Sequence, residues 1–131
     1  MPERRRGLVL VAAVLPVLAG CGAVDDDGVR AVATAFADPA TPTEECCALL
    51  APGARTTLEE DEQRSCEAAL PDLPLGAGAV ESVQVWGEEA QARLSDDVLF
   101  LTRTSEGWRV RAGACRPQGE DTPYSCRLEG S

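Results

Sequence analysis

The residues able to do chemistry are few in kind. The chain carries 22 Asp and Glu against 12 cationic residues, all of them Arg, and it contains no His. That removes the side chain best suited to general base work near neutral pH, the commonest neutral metal ligand and the amine of Schiff-base catalysis. A site would have to be built from carboxylates, Arg, Ser, Thr, Tyr or thiols. Paired carboxylates do acid and base work when burial drives their pKa values apart, and Glu59-Glu60-Asp61-Glu62 is a contiguous set. Followed by Arg64, such a run has the pattern of a solvated face rather than a site. Asp25-Asp26-Asp27 lacks the alternate ligand spacing and distal bidentate glutamate of a calcium loop. Gly76-Ala77-Gly78 has neither the strand before it nor the helix after it that a phosphate loop needs. Four metal ligands at short fixed spacing are missing. Neither catalysis nor a metal or other cofactor is therefore expected.

The thiols say more. Of six cysteines, Cys21 closes Leu18-Ala19-Gly20-Cys21, which follows a positive Arg4-Arg5-Arg6 and an apolar run from Leu8 to Leu18. That run is too short for a membrane-spanning helix, which needs about 20 apolar residues, and it has the layout of a signal peptide. The segment resembles the lipobox of bacterial lipoproteins, and the resemblance implies that Cys21 is acylated and becomes the first residue after cleavage. The alternative is a plain secreted chain with Cys21 near its cleavage site by chance. Acyl chains bury about 0.8 kcal/mol per methylene, and two or more on one residue anchor stably. The expected organisation is a leader over residues 1–20, a lipidated and solvated tether over 21–28, and one domain over 29–131, held on the extracytoplasmic face of the cell membrane.

Removing the first 20 of 131 residues leaves 111, enough for a single core. The formal charge is −10, and a leader carrying three arginines against Glu3, a net +2, leaves −12 behind. An acidic surface does not suit nucleic acid, whose phosphates need clustered cations.

The elements follow from periodicity. Val29, Val32, Ala33 and Phe36 recur at i, i+3, i+4 and i+7, predicting a helix over 28–37 with one buried stripe. Asp38-Pro39 ends it. Thr41-Pro42-Thr43-Glu44 reads as a capping box with Thr41 as N-cap, opening a second helix through Leu50. A third helical piece is expected from about Ala54 to Glu60, and a turn around Ser65 to Leu70. Past Gly78 the pattern alternates, predicting strands over Val80–Trp86, Ala90–Leu94, Val98–Arg103, Trp108–Ala114 and Tyr124–Glu129. The short connections between them allow only antiparallel neighbours. Val83, Val85, Ala92, Leu94, Trp108, Val110 and Ala112 are expected to face inward, with Gln84, Gln91, Arg93, Arg109 and Arg111 outward. Val98-Leu99-Phe100-Leu101 is apolar on both faces and so central. The fold class expected is α+β, N-terminal helices packed on a curved four- to five-stranded antiparallel sheet.

In an exported chain the five other cysteines read as cross-links. Adjacent helical residues point about 100° apart, so only one of Cys46 and Cys47 can face Cys66. Cys47-Ala48-Leu49-Leu50-Ala51-Pro52, Cys66-Glu67-Ala68-Ala69-Leu70, Val85-Trp86-Gly87, Gly107-Trp108-Arg109-Val110 and the pair Cys115 and Cys126 resemble small lipoproteins of high-GC Gram-positive bacteria with nuclear-transport-factor-2-like, cystatin-like cone domains. The resemblance favours Cys47 as the partner of Cys66, with Cys115 joined to Cys126. Cys46 is then an odd thiol, expected to be inert.

The resemblance implies an exported, anchored domain and brings no catalytic residues. Cone folds hold a small apolar ligand, or dimerise, between helices and concave sheet, where Phe36, Trp86, Phe100 and Trp108 would line the space unless they simply make the core. Arg93, Arg109 and Arg111 form an outward cationic stripe. It either keeps the sheet soluble or docks an anionic envelope protein or cell-wall polymer. The functional expectation is non-catalytic binding, with a partner-docking role beside an envelope enzyme, exporter or sensor as the alternative.

Overall fold

The structure, a computed structural model, describes Ala13 and residues 22–130. The expected leader, Ala13 apart, and the lipid-attachment residue Cys21 lie outside the described residues. Helix α1 spans Gly22–Ala37 and buries Val29, Ala33 and Phe36 on the expected stripe. It begins well before Gly28, so residues 22–28, expected as a solvated tether, are helical. Two contacts hold them. Asp25 in the first turn pairs with Arg103 at 2.6 Å, and Gly28 lies so close to the Trp108 indole that an added Cβ would sit 3.1 Å from its Cδ1.

The expected capping box does not form. After α1 the Ala40 N–H donates to Asp38 Oδ1 at 2.8 Å and the Thr41 N–H to the Asp38 carbonyl at 3.0 Å. That turn keeps Thr41 outside the next helix. Helix α2, Thr43–Ala48, takes Pro42 as its N-cap, with no side-chain cap bond. It stops short of Leu50 because the chain turns into the sheet: the Val110 N–H donates to the Leu49 carbonyl at 2.9 Å, and the Ala51 N–H to the Val110 carbonyl at 2.8 Å. Helix α3, Pro52–Glu62, starts earlier than expected, since proline at the first helical position forfeits no helical hydrogen bond. Helix α4, Cys66–Ala69, runs into a 3₁₀ turn over Leu70–Asp72.

Strands β1 (Val80–Trp86), β2 (Glu89–Leu94), β3 (Val98–Thr104), β4 (Gly107–Arg116) and β5 (Ser125–Glu129) form one open antiparallel sheet in sequence order, with β3 central. The chain is thus α+β, as expected. One face carries the helices and the main core, in which Val29, Leu58, Leu99, Leu101, Val110 and Leu128 are all buried. Leu99 pairs with Ala92 and Leu101 with both Ala90 and Val110, so the inward rows continue from strand to strand.

One expected inward residue is reversed. The β3–β4 register runs from Leu101↔Val110 to Phe100↔Ala112, which leaves Arg111 as an extra residue, a bulge. A bulge breaks the two-residue alternation. Ala112 therefore packs with Val98 in a smaller cluster, against which Phe100 and Tyr124 lie, instead of joining the main core.

Both disulfides form: Cys47 of α2 with Cys66 of α4, Cα atoms 6.1 Å apart, and Cys115 with Cys126 directly across β4 and β5, 4.0 Å apart. The sequence did not single out Asp97, which falls in the short connection between the expected second and third strands. Its carboxylate is buried and accepts four backbone N–H groups. Oδ1 takes those of Val98 at 2.7 Å and Cys115 at 2.9 Å; Oδ2 takes those of Gly76 at 3.0 Å and Ala114 at 2.9 Å. One side chain so fastens the start of β3, the far part of β4 and the loop before β1.

Candidate functional site

The two faces of the sheet differ in kind. The helix side carries the main core, and Phe36 and Trp108 belong to it. Trp86 and Phe100, expected to line a space on that side, lie on the opposite face. The alternation that sends Val83 and Val85 inward already sends Trp86 outward. It is 51 % exposed. Here a groove of about 350 Å³ runs between Trp86, Phe100, Pro123 and Tyr124, with Glu89 and Arg111 in its wall.

Each of these side chains is placed by the ladder. Trp86 pairs with Glu89 at the β1–β2 end, and Glu89 pairs in turn with Thr102. Phe100 stands opposite Gln91 on one side and Ala112 on the other. The small Ala112 leaves room, and Tyr124 meets the Phe100 ring edge to face, centroids 5.5 Å apart. The bulge turns Arg111 toward Glu89, and Arg111 Nη1 donates to Glu89 Oε2 at 3.1 Å. Thr102 Oγ1 donates to Glu89 Oε1 at 2.9 Å. Arg111 Nε is buried with no hydrogen-bond partner among the described residues.

Of the three arginines expected as a cationic stripe, two lie beside carboxylates and the third meets only a hydroxyl. Arg111 pairs with Glu89. Arg109 donates from Nη1 to the Trp108 carbonyl at 2.8 Å, and its Nη2 lies 3.8 Å from Glu106. Arg93 donates to the Tyr124 hydroxyl at 3.3 Å. Set against Glu89, Glu106 and Glu129, the last also in the groove wall, the local charge comes close to balance. Arg103 belongs to the other side: its guanidinium lies 4.6 Å over the Trp108 ring, and it pairs with Asp25.

Comparison with family models, with curated proteins and with solved structures finds no match. In the acidic run, Glu59 pairs with Arg55 at 2.9 Å, and Glu62 with Arg127 at 2.9 Å, while Glu60 and Asp61 are exposed. Among the described residues no group of three or more His, Cys, Asp or Glu is placed to hold a metal ion, and no helix is long and apolar enough to cross a membrane. Disulfides persist in oxidising compartments, and the two here point to an extracytoplasmic setting.

The remaining thiol, Cys46, is buried and borders a separate recess of about 240 Å³ beside Phe36, Leu70 and Leu73. Its S–H faces the Phe36 carbonyl at 3.9 Å. Burial pushes this thiol's pKa up, with Glu45 and Asp38 adding to the rise. The folded protein thus holds the proton more tightly than the unfolded chain. The stability this contributes is complete below the ordinary thiol pKa, about 8.5, and is lost as pH climbs from there through the folded value. Native protein at pH 8 is accordingly expected to resist iodoacetamide at Cys46, labelling only on unfolding; prompt labelling of the folded chain, read by peptide mass, would contradict this.

Proposed function

We propose that this chain is a lipid-anchored extracytoplasmic module that binds a ligand without transforming it, and that the outer sheet face is its binding surface. The observation that carries the binding reading is the aromatic groove between Trp86 and Tyr124, open to solvent on the sheet face away from the main core. Large aromatics are ordinarily drawn into a core, so three gathered on a solvent face mark a site of contact. Support for the anchor is Leu18-Ala19-Gly20-Cys21 behind its arginines and apolar run, and the pair of disulfides is consistent with export. The likeness to nuclear-transport-factor-2-like lipoproteins belongs to the same proposal; helices first and a meander after is the order it calls for.

Two measurements test the reading. Cys21→Ser is expected to move the protein out of the membrane fraction, and intact mass of the wild type to show an acyl adduct on Cys21; firm membrane association of the variant would remove the anchor. Titrating a soluble cell-envelope extract into isotope-labelled protein is expected to shift resonances of Trp86, Gln91, Phe100 and Tyr124. Shifts confined to the helix side would move the site elsewhere.

A further inference from the structure

We propose that the outer-face groove is a subsite for an uncharged sugar chain bearing acetamido groups, such as a polymer of N-acetylhexosamine. The inference rests on the binding reading above and names the ligand class for the same surface. Four observations converge on it. First, Trp86 offers a half-exposed indole at one end of a shallow groove, with Phe100 and Tyr124 at the other. Flat apolar rings match the C–H faces of pyranoses, and covering them removes apolar area from water. Second, Arg111 Nε is a buried donor without an acceptor, and a buried donor left unpaired is costly. A ligand oxygen reaches it only when the Arg111 side chain turns within the groove, and then supplies the missing partner.

Third, that oxygen must be neutral. Glu89 and Glu129 share the groove wall, Arg111 is already matched by Glu89, and the chain as a whole carries −10. A phosphate or carboxylate in the groove would meet like charge there, because Arg93, the arginine of this face with no carboxylate partner among the described residues, lies outside the groove wall in the neighbouring recess. An acetamido carbonyl or a hydroxyl meets none, and Glu89 can take an N–H or O–H in return. Fourth, the aromatic groove adjoins a polar recess of about 130 Å³ formed by Ser82, Gln84, Gln91 and Arg93. Gln91 stands directly opposite Phe100 in the ladder, so the two recesses share a face. An extended chain crossing from aromatic floor to amide row would find stacking at one unit and hydrogen bonds at the next. A proline-rich peptide would use the aromatic groove but leave the amide row unexplained.

The test is calorimetric titration of the full-length chain, purified in detergent, with a tetramer of N-acetylglucosamine. Saturable binding is expected, with a dissociation constant of about 1 mM or tighter. Trp86→Ala should weaken it roughly tenfold, since it removes the stacking ring. Arg111→Lys, which keeps the charge opposite Glu89 but has no Nε, should weaken it by about threefold or more. Unchanged unfolding midpoints for both variants exclude a folding defect. The proposal is overturned if the wild type shows no saturable heat, if Trp86→Ala binds as the wild type does, or if a lysine-bearing proline decapeptide binds at Trp86 and the tetramer does not. A Cys21→Ser protein that keeps its sugar affinity while leaving the membrane separates this question from that of the anchor.

Discussion

Asp97→Ala is expected to cost about 3–5 kcal/mol, a large part of the roughly 5–15 kcal/mol available to a domain of this kind. Four backbone donors converge on its carboxylate, from Val98, Gly76, Ala114 and Cys115. Hydrogen bonds to a charged group contribute about 1.5–3 kcal/mol each, and removing the acceptor leaves these donors to find water in a place where the residue is only 5 % exposed. Ala114 adds to the dependence, because it holds a left-handed φ of 52° and its N–H is one of the four. Asp97→Asn should cost less, about 2–3 kcal/mol: one oxygen still accepts, while the amide group faces two donors with hydrogens of its own. Exposed Asp96 provides the control, and Asp96→Ala should stay within about 0.5 kcal/mol. Denaturant midpoints decide the matter. An Asp97→Ala midpoint close to that of Asp96→Ala would mean that the clamp holds nothing.

Removing the Cys47–Cys66 bridge is the second large change, with an expected loss of about 3–5 kcal/mol. Loop length does not single it out. The two bridges span 19 and 11 positions, and the chain-entropy argument gives both about 3 kcal/mol, differing by only about 0.5 kcal/mol. Burial separates them. Cys66 and Cys47 are 0 % and 1 % exposed within the main core, whereas Cys126 is only partly buried at the end of the sheet. Cutting the inner bridge leaves a defect among Leu50, Leu58 and Leu70 in addition to freeing the chain. The double variant Cys47→Ala/Cys66→Ala avoids leaving a second thiol beside Cys46, and Cys115→Ala/Cys126→Ala is its comparison. Equal losses in the two, or a larger loss in the outer pair, would show that core position adds nothing.

Much of this fold can be read from local pattern, because local pattern is what sets it. Alternation over Val80–Trp86 and a run from Val98 that is apolar on both faces place those strands, and the tight links force a meander. The partner of Cys66 followed from likeness to a family rather than from spacing, which left Cys46 and Cys47 equal. The failures share a cause. The role of Asp97 depends on backbone groups as much as 21 positions away, and no motif in the sequence announces them. The reversal of Ala112 depends on a bulge that inserts one residue into the ladder, and period-two reasoning carried past it is inverted. The capping box yielded to the turn at Asp38. Trp86 is a different case: the alternation had already turned it outward, and only the habit of assigning tryptophan to a core hid the groove. Tyr124 and Pro123 were not legible as site residues, since the β4–β5 connection alone brings them beside Phe100.

The crossing of Leu49–Ala51 onto β4 has a consequence for how the molecule opens. There the helical layer and the sheet are joined through main-chain groups of Ala51 and Val110 as well as by side-chain packing. A substitution on a helix surface can weaken packing but cannot remove that stitch. Deuterium uptake at those two amides therefore requires the layers to part, which makes them the slow clock of whole-domain opening rather than of local fraying.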